Sequence, residues 1–149
     1  MDLFRWLVVI IYVLAIFIFA GDEISSSTFT AELLAKLLPH LGRAEIREYV
    51  VLVRKAGHFL AYGLLTLLVY RAAAKTKGMQ RYALPGAAFF ALMVAVADES
   101  YQQFLVHRTG VWTDVLIDGS GVAVTVLGIV LYGKLRRKTS MEVREDAQD

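Results

Sequence analysis

The stretch that decides the fold is residues 82–97, YALPGAAFFALMVAVA, which carries no charge and is followed at once by Asp98 and Glu99. Three further apolar segments accompany it, at Trp6–Ala20, Ala56–Val69 and Val115–Tyr132. Each approaches the length that a helix needs to cross the hydrocarbon core of a bilayer. The chain is 57% hydrophobic with a mean hydropathy of +0.53, too apolar for an ordinary soluble domain. The sequence therefore predicts an all-α, polytopic membrane protein containing a four-transmembrane-helix bundle.

Two clusters of basic residues adjoin the predicted spans and set the expected orientation. They are Arg71, Lys75, Lys77 and Arg81 after the second span, and Lys134, Arg136, Arg137 and Lys138 after the fourth. Because basic loops stay cytoplasmic, we expect a multi-pass protein of the cell membrane with both termini inside and residues 98–114 outside. The clusters lie at membrane exits, so they favour contact with anionic lipid and give no indication of nucleic acid binding.

The ends of the chain and its composition add smaller constraints. We expect a transmembrane domain over residues 1–138 and a polar cytoplasmic tail over 139–149. The first apolar segment has an alternative interpretation as a cleaved signal peptide, although Ile18 occupies a position where a small residue is expected. The chain contains no cysteine, which excludes disulfides and thiolate chemistry. The sequence predicts neither a cofactor nor an oligomeric state.

A leucine-rich segment between the first two spans predicts a short amphipathic helix on the outer side. Its leucines recur at helical spacing, with Thr30 as the expected N-cap and Pro39 near its end. This helix can lie in the outer leaflet or pack as a lid on the bundle. From Ala44 onward the apolar pattern continues into the second span, which predicts one long helix.

Polar residues of three helices are predicted to share one depth. Lys55, Asp98 and Asp118 each lie 16 or 17 residues from a basic residue at the inner edge, which corresponds to about 24–26 Å along a helix. This level lies just inside the outer face of a core that is about 30 Å thick. Charged groups within a membrane are costly, so a shared depth on separate helices indicates a common site.

The helical spacing predicts that these groups also face one another. Lys55, His58 and Tyr62 share one side of the second helix, and Asp98 and Gln102 share one side of the third. On the third helix, small residues continue this side inward: Ala87, Ala91 and Ala95. The fourth helix carries a seam of polar and small residues: Asp114, Asp118, Gly121, Thr125 and Gly128. We infer a polar pocket that opens outward. The alternative is a set of ion pairs that only fixes helix register.

Two motifs resemble signatures of the VanZ-like family of membrane proteins. The first, K-x-x-H-F-x-x-Y, is matched by Lys55, His58, Phe59 and Tyr62. The second, D-E-x-x-Q-x-F followed by an arginine and D-x-x-x-N-x-x-G, is matched by Asp98, Glu99, Gln102, Phe104, Arg108, Asp114 and Gly121. The chain departs from the pattern at Asp118, where the family usually has asparagine. The resemblance implies a theme of low-level resistance to the glycopeptide teicoplanin.

These observations predict a site at the bacterial cell envelope with two alternative activities. In the first, the pocket binds a membrane lipid headgroup, an envelope precursor or a glycopeptide, through Lys55, Tyr62, Gln102, Arg108, Asp114 and Asp118. In the second, the protein is a membrane-embedded enzyme acting on an extracytoplasmic lipid or glycan, with Asp98, Glu99 and His58 as catalytic acids and bases. We assign no metal ligands.

Two further hypotheses have weaker support in the sequence. A divalent cation held by His58, Asp98, Glu99 and Asp118 is a variant of the enzyme hypothesis, since carboxylates are hard ligands. A transporter is disfavoured because the inner two-thirds of each predicted span lack charge, whereas alternating-access sites usually lie near the midplane.

Overall fold

The computed structural model of the protein describes residues 2–21, 27–105 and 112–145, and these ranges contain helices and no strand. The helices are α1 (Asp2–Gly21), α2 (Ser27–Leu37), α3 (Arg43–Ala73), α4 (Ala83–Gln102) and α5 (Trp112–Glu145), with a short 3-10 helix at Gln80–Tyr82 before α4. The all-α prediction is confirmed.

Four segments are long and apolar enough to cross a membrane. They are Leu3–Gly21, Arg43–Ala73, Gln80–Gln102 and Trp112–Thr139. The predicted four-span, multi-pass architecture is thus confirmed. Helix α5 does not end with its apolar run but continues to Glu145, into the stretch that we had predicted as a separate tail. The lysines, arginines and glutamates after Tyr132 are good helix formers, so nothing in this stretch ends the helix.

Contacts of α1 show which helix ends lie together at each end of the bundle. At one end, Trp6 Nε1 donates a hydrogen bond to Thr76 Oγ1 over 3.0 Å. At the other end, the rings of Phe17 and Tyr101 meet edge to face at 6.0 Å between centroids. The start of α1 therefore lies beside the 74–79 connection, and its end lies beside the end of α4. We call these the 74–79 end and the α2 end of the bundle.

Small residues allow the central helices to approach closely, as the sequence predicted. Ala87, Ala91 and Ala95 are completely buried in the core. On α5, a side-chain carbon added at Gly121 would overlap the carbonyl oxygen of Phe59, so α3 and α5 meet backbone to backbone at this point. Such contacts are typical of helices packing in membranes, where van der Waals contact replaces hydrophobic burial.

The predicted seam on α5 is shorter than expected. It continues from Gly121 to Thr125, whose hydroxyl lies 2.9 Å from where a Cβ on Gly63 would be. One turn further, Gly128 is exposed and has open space around it. Helices α3 and α5 therefore pack most closely in the half of the bundle nearer the α2 end.

Helix α2 begins earlier than predicted and has two different faces. It starts at Ser27 rather than after Thr30, and it packs against α3 without burying any residue fully. Phe29, Leu33 and Leu37 remain 43%, 46% and 66% exposed. An apolar face of this kind is suited to the interfacial region of a bilayer, while Thr30 faces the bundle and lines a cavity. Helix α2 thus has an exposed apolar face and a side that contributes to the cavity.

Candidate functional site

A cluster of polar side chains is buried between α3, α4 and α5 near the α2 end. We call it the polar layer, and it consists of His58, Tyr62, Asp98, Glu99, Gln102 and Asp118. All but His58 are at most 3% exposed, and the side chain of His58 is 13% exposed. Buried ionisable groups within membrane spans are rare and mark functional sites by default. The structure therefore brings together most of the residues that the sequence predicted for a common pocket.

Asp98 ties α3 to α4 through one of its oxygens. Tyr62 donates its hydroxyl hydrogen to Asp98 Oδ2 over 2.9 Å, and Gln102 Nε2 donates to the same oxygen over 2.9 Å. Gln102 lies one helical turn beyond Asp98, so both side chains project from the same face of α4. Two donors on one oxygen fix the orientation of the carboxylate and hold the Tyr62 ring and the Gln102 amide beside it.

His58 and Asp118 form a second contact, between α3 and α5. His58 Nδ1 lies 3.0 Å from Asp118 Oδ1. The close packing of Gly121 against Phe59, one turn away, holds the two helices near enough for this contact. The other oxygen, Asp118 Oδ2, is buried and makes no hydrogen bond within the described residues. A buried polar atom of this kind calls for an explanation.

Glu99 completes a compact group of possible ligand atoms. One nitrogen of His58 and one oxygen each of Glu99 and Asp118 all lie within 4.8 Å of one another. Of the four residues that the sequence suggested as alternative cation ligands, the structure thus brings three together. Asp98 lies beside this group but is engaged by Tyr62 and Gln102.

A cavity of about 280 Å³ adjoins the polar layer. Its polar floor is formed by His58, Tyr62, Asp98 and Gln102. Its walls are mostly apolar and come from α1, α2 and α3: Ile16, Phe19, Ala20, Thr30, Val53, Arg54, Gly57 and Ala61. An apolar cleft with a few convergent polar groups is the usual form of a small-molecule site.

Lys55 does not join the polar layer, in contrast to the sequence-based expectation. It is exposed and does not line the cavity. The sequence-based depth of each residue was counted from a basic residue at the inner edge, whereas the ends of the helices are the correct reference. Asp98 follows the first residue of α4, Ala83, by 15 residues, and His58 precedes the last residue of α3, Ala73, by 15. His58 is therefore level with Asp98, and Lys55 lies about 4.5 Å nearer the α2 end.

Of the two remaining predicted binding residues, the structure describes one, and it lies beside the layer rather than in it. Asp114 is half-buried and lies one helical turn before Asp118 on α5. Arg108 lies outside the described residues. Conversely, neither the wall that α1 contributes to the cavity nor the position of Thr30 in that wall was predicted from the sequence. Uncharged residues on a membrane helix look the same whether they face lipid or a cavity, so no sequence signal distinguished them.

A comparison with protein families places the chain. The model of a family described as VanZ/LLP1 matches residues 4–134. The chain belongs to the VanZ/LLP1 family. The matched segment contains every residue of the polar layer and every residue that lines the cavity, so the site is built within the part of the chain that defines the family. Neither a curated protein nor a solved structure gives a significant match.

Proposed function

We propose that this VanZ-family protein acts at the bacterial cell envelope by binding the polar head and the adjoining chain of an amphiphilic envelope molecule. The observation that carries the proposal is the cavity, whose apolar walls meet a buried polar floor. A lipid or a lipid-linked wall precursor has the same division between an apolar chain and a polar head. Binding would bury the chain against α1 and α3 and place the head at the floor.

The volume of the cavity selects among the ligands that the sequence suggested. About 280 Å³ is close to the lower end of the range for small-molecule pockets, roughly 300–1,000 Å³. A glycopeptide antibiotic, a cross-linked peptide carrying sugars, is several times larger than this space. The proposed occupant is therefore a lipid headgroup with part of its chain, or the lipid-proximal part of a wall precursor. Resistance to teicoplanin would follow indirectly, through altered access of the drug to such a molecule.

The side chains at the cavity indicate which polar head fits. Asp98 and the Tyr62 hydroxyl at the floor favour hydroxyl or ammonium groups, which donate hydrogen bonds to oxygen acceptors. Arg54 on the wall is suited to a phosphate, because guanidinium and phosphate form charge-assisted bonds. A head with a phosphate followed by a sugar or an amine combines both requirements.

The test is ligand binding by the full-length protein in nanodiscs, with phosphatidylglycerol and a polyprenyl-diphosphate-linked muropeptide as probes and teicoplanin as the size comparison. Gly57→Phe should fill the cavity, because Gly57 lines it and a Cβ there meets nothing within 4 Å. Gly128→Phe is the matched control, because Gly128 is equally open but does not line the cavity. We expect Gly57→Phe alone to abolish binding of the lipid probe. Equal binding by both variants would refute the cavity as the site.

A second pair of variants tests the charge on the wall. Arg54 lines the cavity, whereas its neighbour Lys55 is exposed and does not. Losing a hydrogen bond to a charged group costs about 1.5–3 kcal/mol, so Arg54→Gln should weaken binding of a phosphate-bearing probe about 10- to 150-fold. Lys55→Gln should leave it nearly unchanged. In cells, Arg54→Gln should change teicoplanin susceptibility more than Lys55→Gln does.

One observation favours an enzyme as the second candidate. His58 lines the cavity while its Nδ1 is held 3.0 Å from Asp118, an arrangement that orients an imidazole as a general base. In this hypothesis the protein cleaves or transfers the head of the bound amphiphile. Mass spectrometry of the two lipid probes after incubation with the protein distinguishes the candidates. Product that depends on His58 supports the enzyme, and unaltered probes support binding alone.

A further inference from the structure

We propose that His58, Glu99 and Asp118 bind one divalent transition-metal ion, Mn²⁺ or Zn²⁺, beside the cavity. This site shares His58 with the polar floor of the cavity, but Glu99 and Asp118 do not line the cavity, and Arg54 and the cavity walls take no part in the site. It does not depend on the identity of the amphiphile.

The geometry of the three side chains is close to that of a coordination sphere. Metal–ligand bonds of about 2.0–2.2 Å place ligand atoms at most about 4.4 Å apart. The ligand atoms of His58, Glu99 and Asp118 lie within 4.8 Å of one another. Ligand atoms around a tetrahedral ion lie about 3.4 Å apart, so side-chain movements of about 1 Å would bring all three into contact with one ion. They come from α3, α4 and α5, so the ion would join the three central helices.

The unsatisfied oxygen of Asp118 is an independent observation that points to a ligand. Asp118 is completely buried, and its Oδ2 makes no hydrogen bond within the described residues. A carboxylate oxygen in such a place is costly unless a proton donor or a cation compensates for it. The carboxylate of Asp118 would supply the ion with both a negative charge and a choice of two ligand oxygens.

The donor set indicates which ions would be preferred. One imidazole nitrogen and two carboxylates suit Mn²⁺ or Zn²⁺, whereas Mg²⁺ and Ca²⁺ prefer an all-oxygen environment. With Nδ1 of His58 as the ligand atom, metal binding would release to solvent the proton that now lies between His58 and Asp118. Because His58 lines the cavity, the cavity also provides a route by which an ion can enter.

The experiment measures metal directly on the purified full-length protein. The protein in nanodiscs is exposed to Zn²⁺, Mn²⁺ or Mg²⁺, dialysed, and analysed for bound metal. We expect about one Zn²⁺ or Mn²⁺ per chain, held at least 10-fold more tightly than Mg²⁺. Asp118→Asn should weaken this binding at least 10-fold, since it removes a ligand charge but keeps the shape. Asp98→Asn is the matched control, a buried carboxylate outside the triad, and it should retain the metal.

A thermal measurement keeps the test valid if a variant fails to fold. A bound ion raises the Tm of the unaltered protein, and saturating Zn²⁺ or Mn²⁺ should raise it by at least about 4 °C, reversibly with a chelator. The proposal is overturned if the unaltered protein binds less than one-tenth of an ion per chain and its Tm does not respond. Equal metal content in Asp118→Asn and the unaltered protein also overturns it. Neither result bears on amphiphile binding, which Gly57→Phe tests separately.

Discussion

Substitution of Gly121 by alanine should separate α3 from α5 and break the contact between His58 and Asp118. The added Cβ would overlap the carbonyl oxygen of Phe59 and lie 3.0 Å and 3.2 Å from its carbonyl carbon and Cα. These are backbone atoms and cannot rotate away. Favourable carbon contacts need about 3.5–4.0 Å, so the helices must move apart by about 1 Å.

The same displacement has a consequence at the polar layer. His58 is adjacent to Phe59, and Asp118 lies one turn from Gly121, so the 3.0 Å contact between them should lengthen to about 4 Å. At that distance the hydrogen bond is lost. Overpacking of this kind costs about 1–3 kcal/mol, to which the broken contact adds. The variant should therefore unfold earlier and lose the proposed metal binding.

The assay is an SDS titration in mixed micelles, followed by tryptophan fluorescence. In a Trp112→Phe background Trp6 is the sole tryptophan, and it is a suitable reporter because its indole is hydrogen-bonded to Thr76 in the folded bundle. Gly128→Ala is the control, because Gly128 lies on the same helix and a Cβ added there meets nothing within 4 Å. We expect the control to stay within about 0.5 kcal/mol of the unaltered protein. If Gly121→Ala is as stable as Gly128→Ala, the close packing that we describe is not present.

Further predictions concern hydrogen bonds that join the helices. Tyr62→Phe removes a donor to the buried Asp98 and should destabilise the bundle by about 1–3 kcal/mol in the same titration. Tyr12→Phe is the comparison: it loses a longer hydrogen bond, to the carbonyl oxygen of Ala61, from a half-buried side chain, and it should cost less. Equal costs would argue against a buried Tyr62–Asp98 bond. Trp6→Phe and Thr76→Val should each cost about 0.5–1.5 kcal/mol, and the double variant should cost less than their sum, because both remove the same bond. These titrations are followed by circular dichroism, since Trp6→Phe removes the fluorescent reporter.

Contacts between residues on the same helix were predicted correctly, because helical periodicity determines which side chains share a face. Asp98 and Gln102 are one turn apart, so they had to share a face of α4 once that segment was helical. The alanine stripe below them and Gly121 on α5 predicted close packing for the same reason. The resemblance to the VanZ-like family, confirmed by the match to residues 4–134, selected the same residues independently.

Relations between helices were predicted less well. The pairing of His58 with Asp118 depends on the register between α3 and α5, which the backbone contact at Gly121 fixes and which no local pattern encodes. Lys55 was placed one turn too deep, because loop charges do not mark where helices end. The apolar wall that α1 contributes was not predicted, because an apolar residue such as Phe19 is equally expected on a helix face that contacts lipid.

The most direct test of the account is labelling of single cysteines in intact cells. The chain has no native cysteine, so Gly57→Cys and Lys77→Cys each introduce a sole thiol, one in the cavity and one in the exposed 74–79 connection. A membrane-impermeant maleimide should label Gly57→Cys from outside and Lys77→Cys only after permeabilisation. The lipid probe should protect Gly57→Cys from labelling. The reverse pattern, with Lys77→Cys labelled in intact cells and Gly57→Cys not, would contradict an outward-facing site.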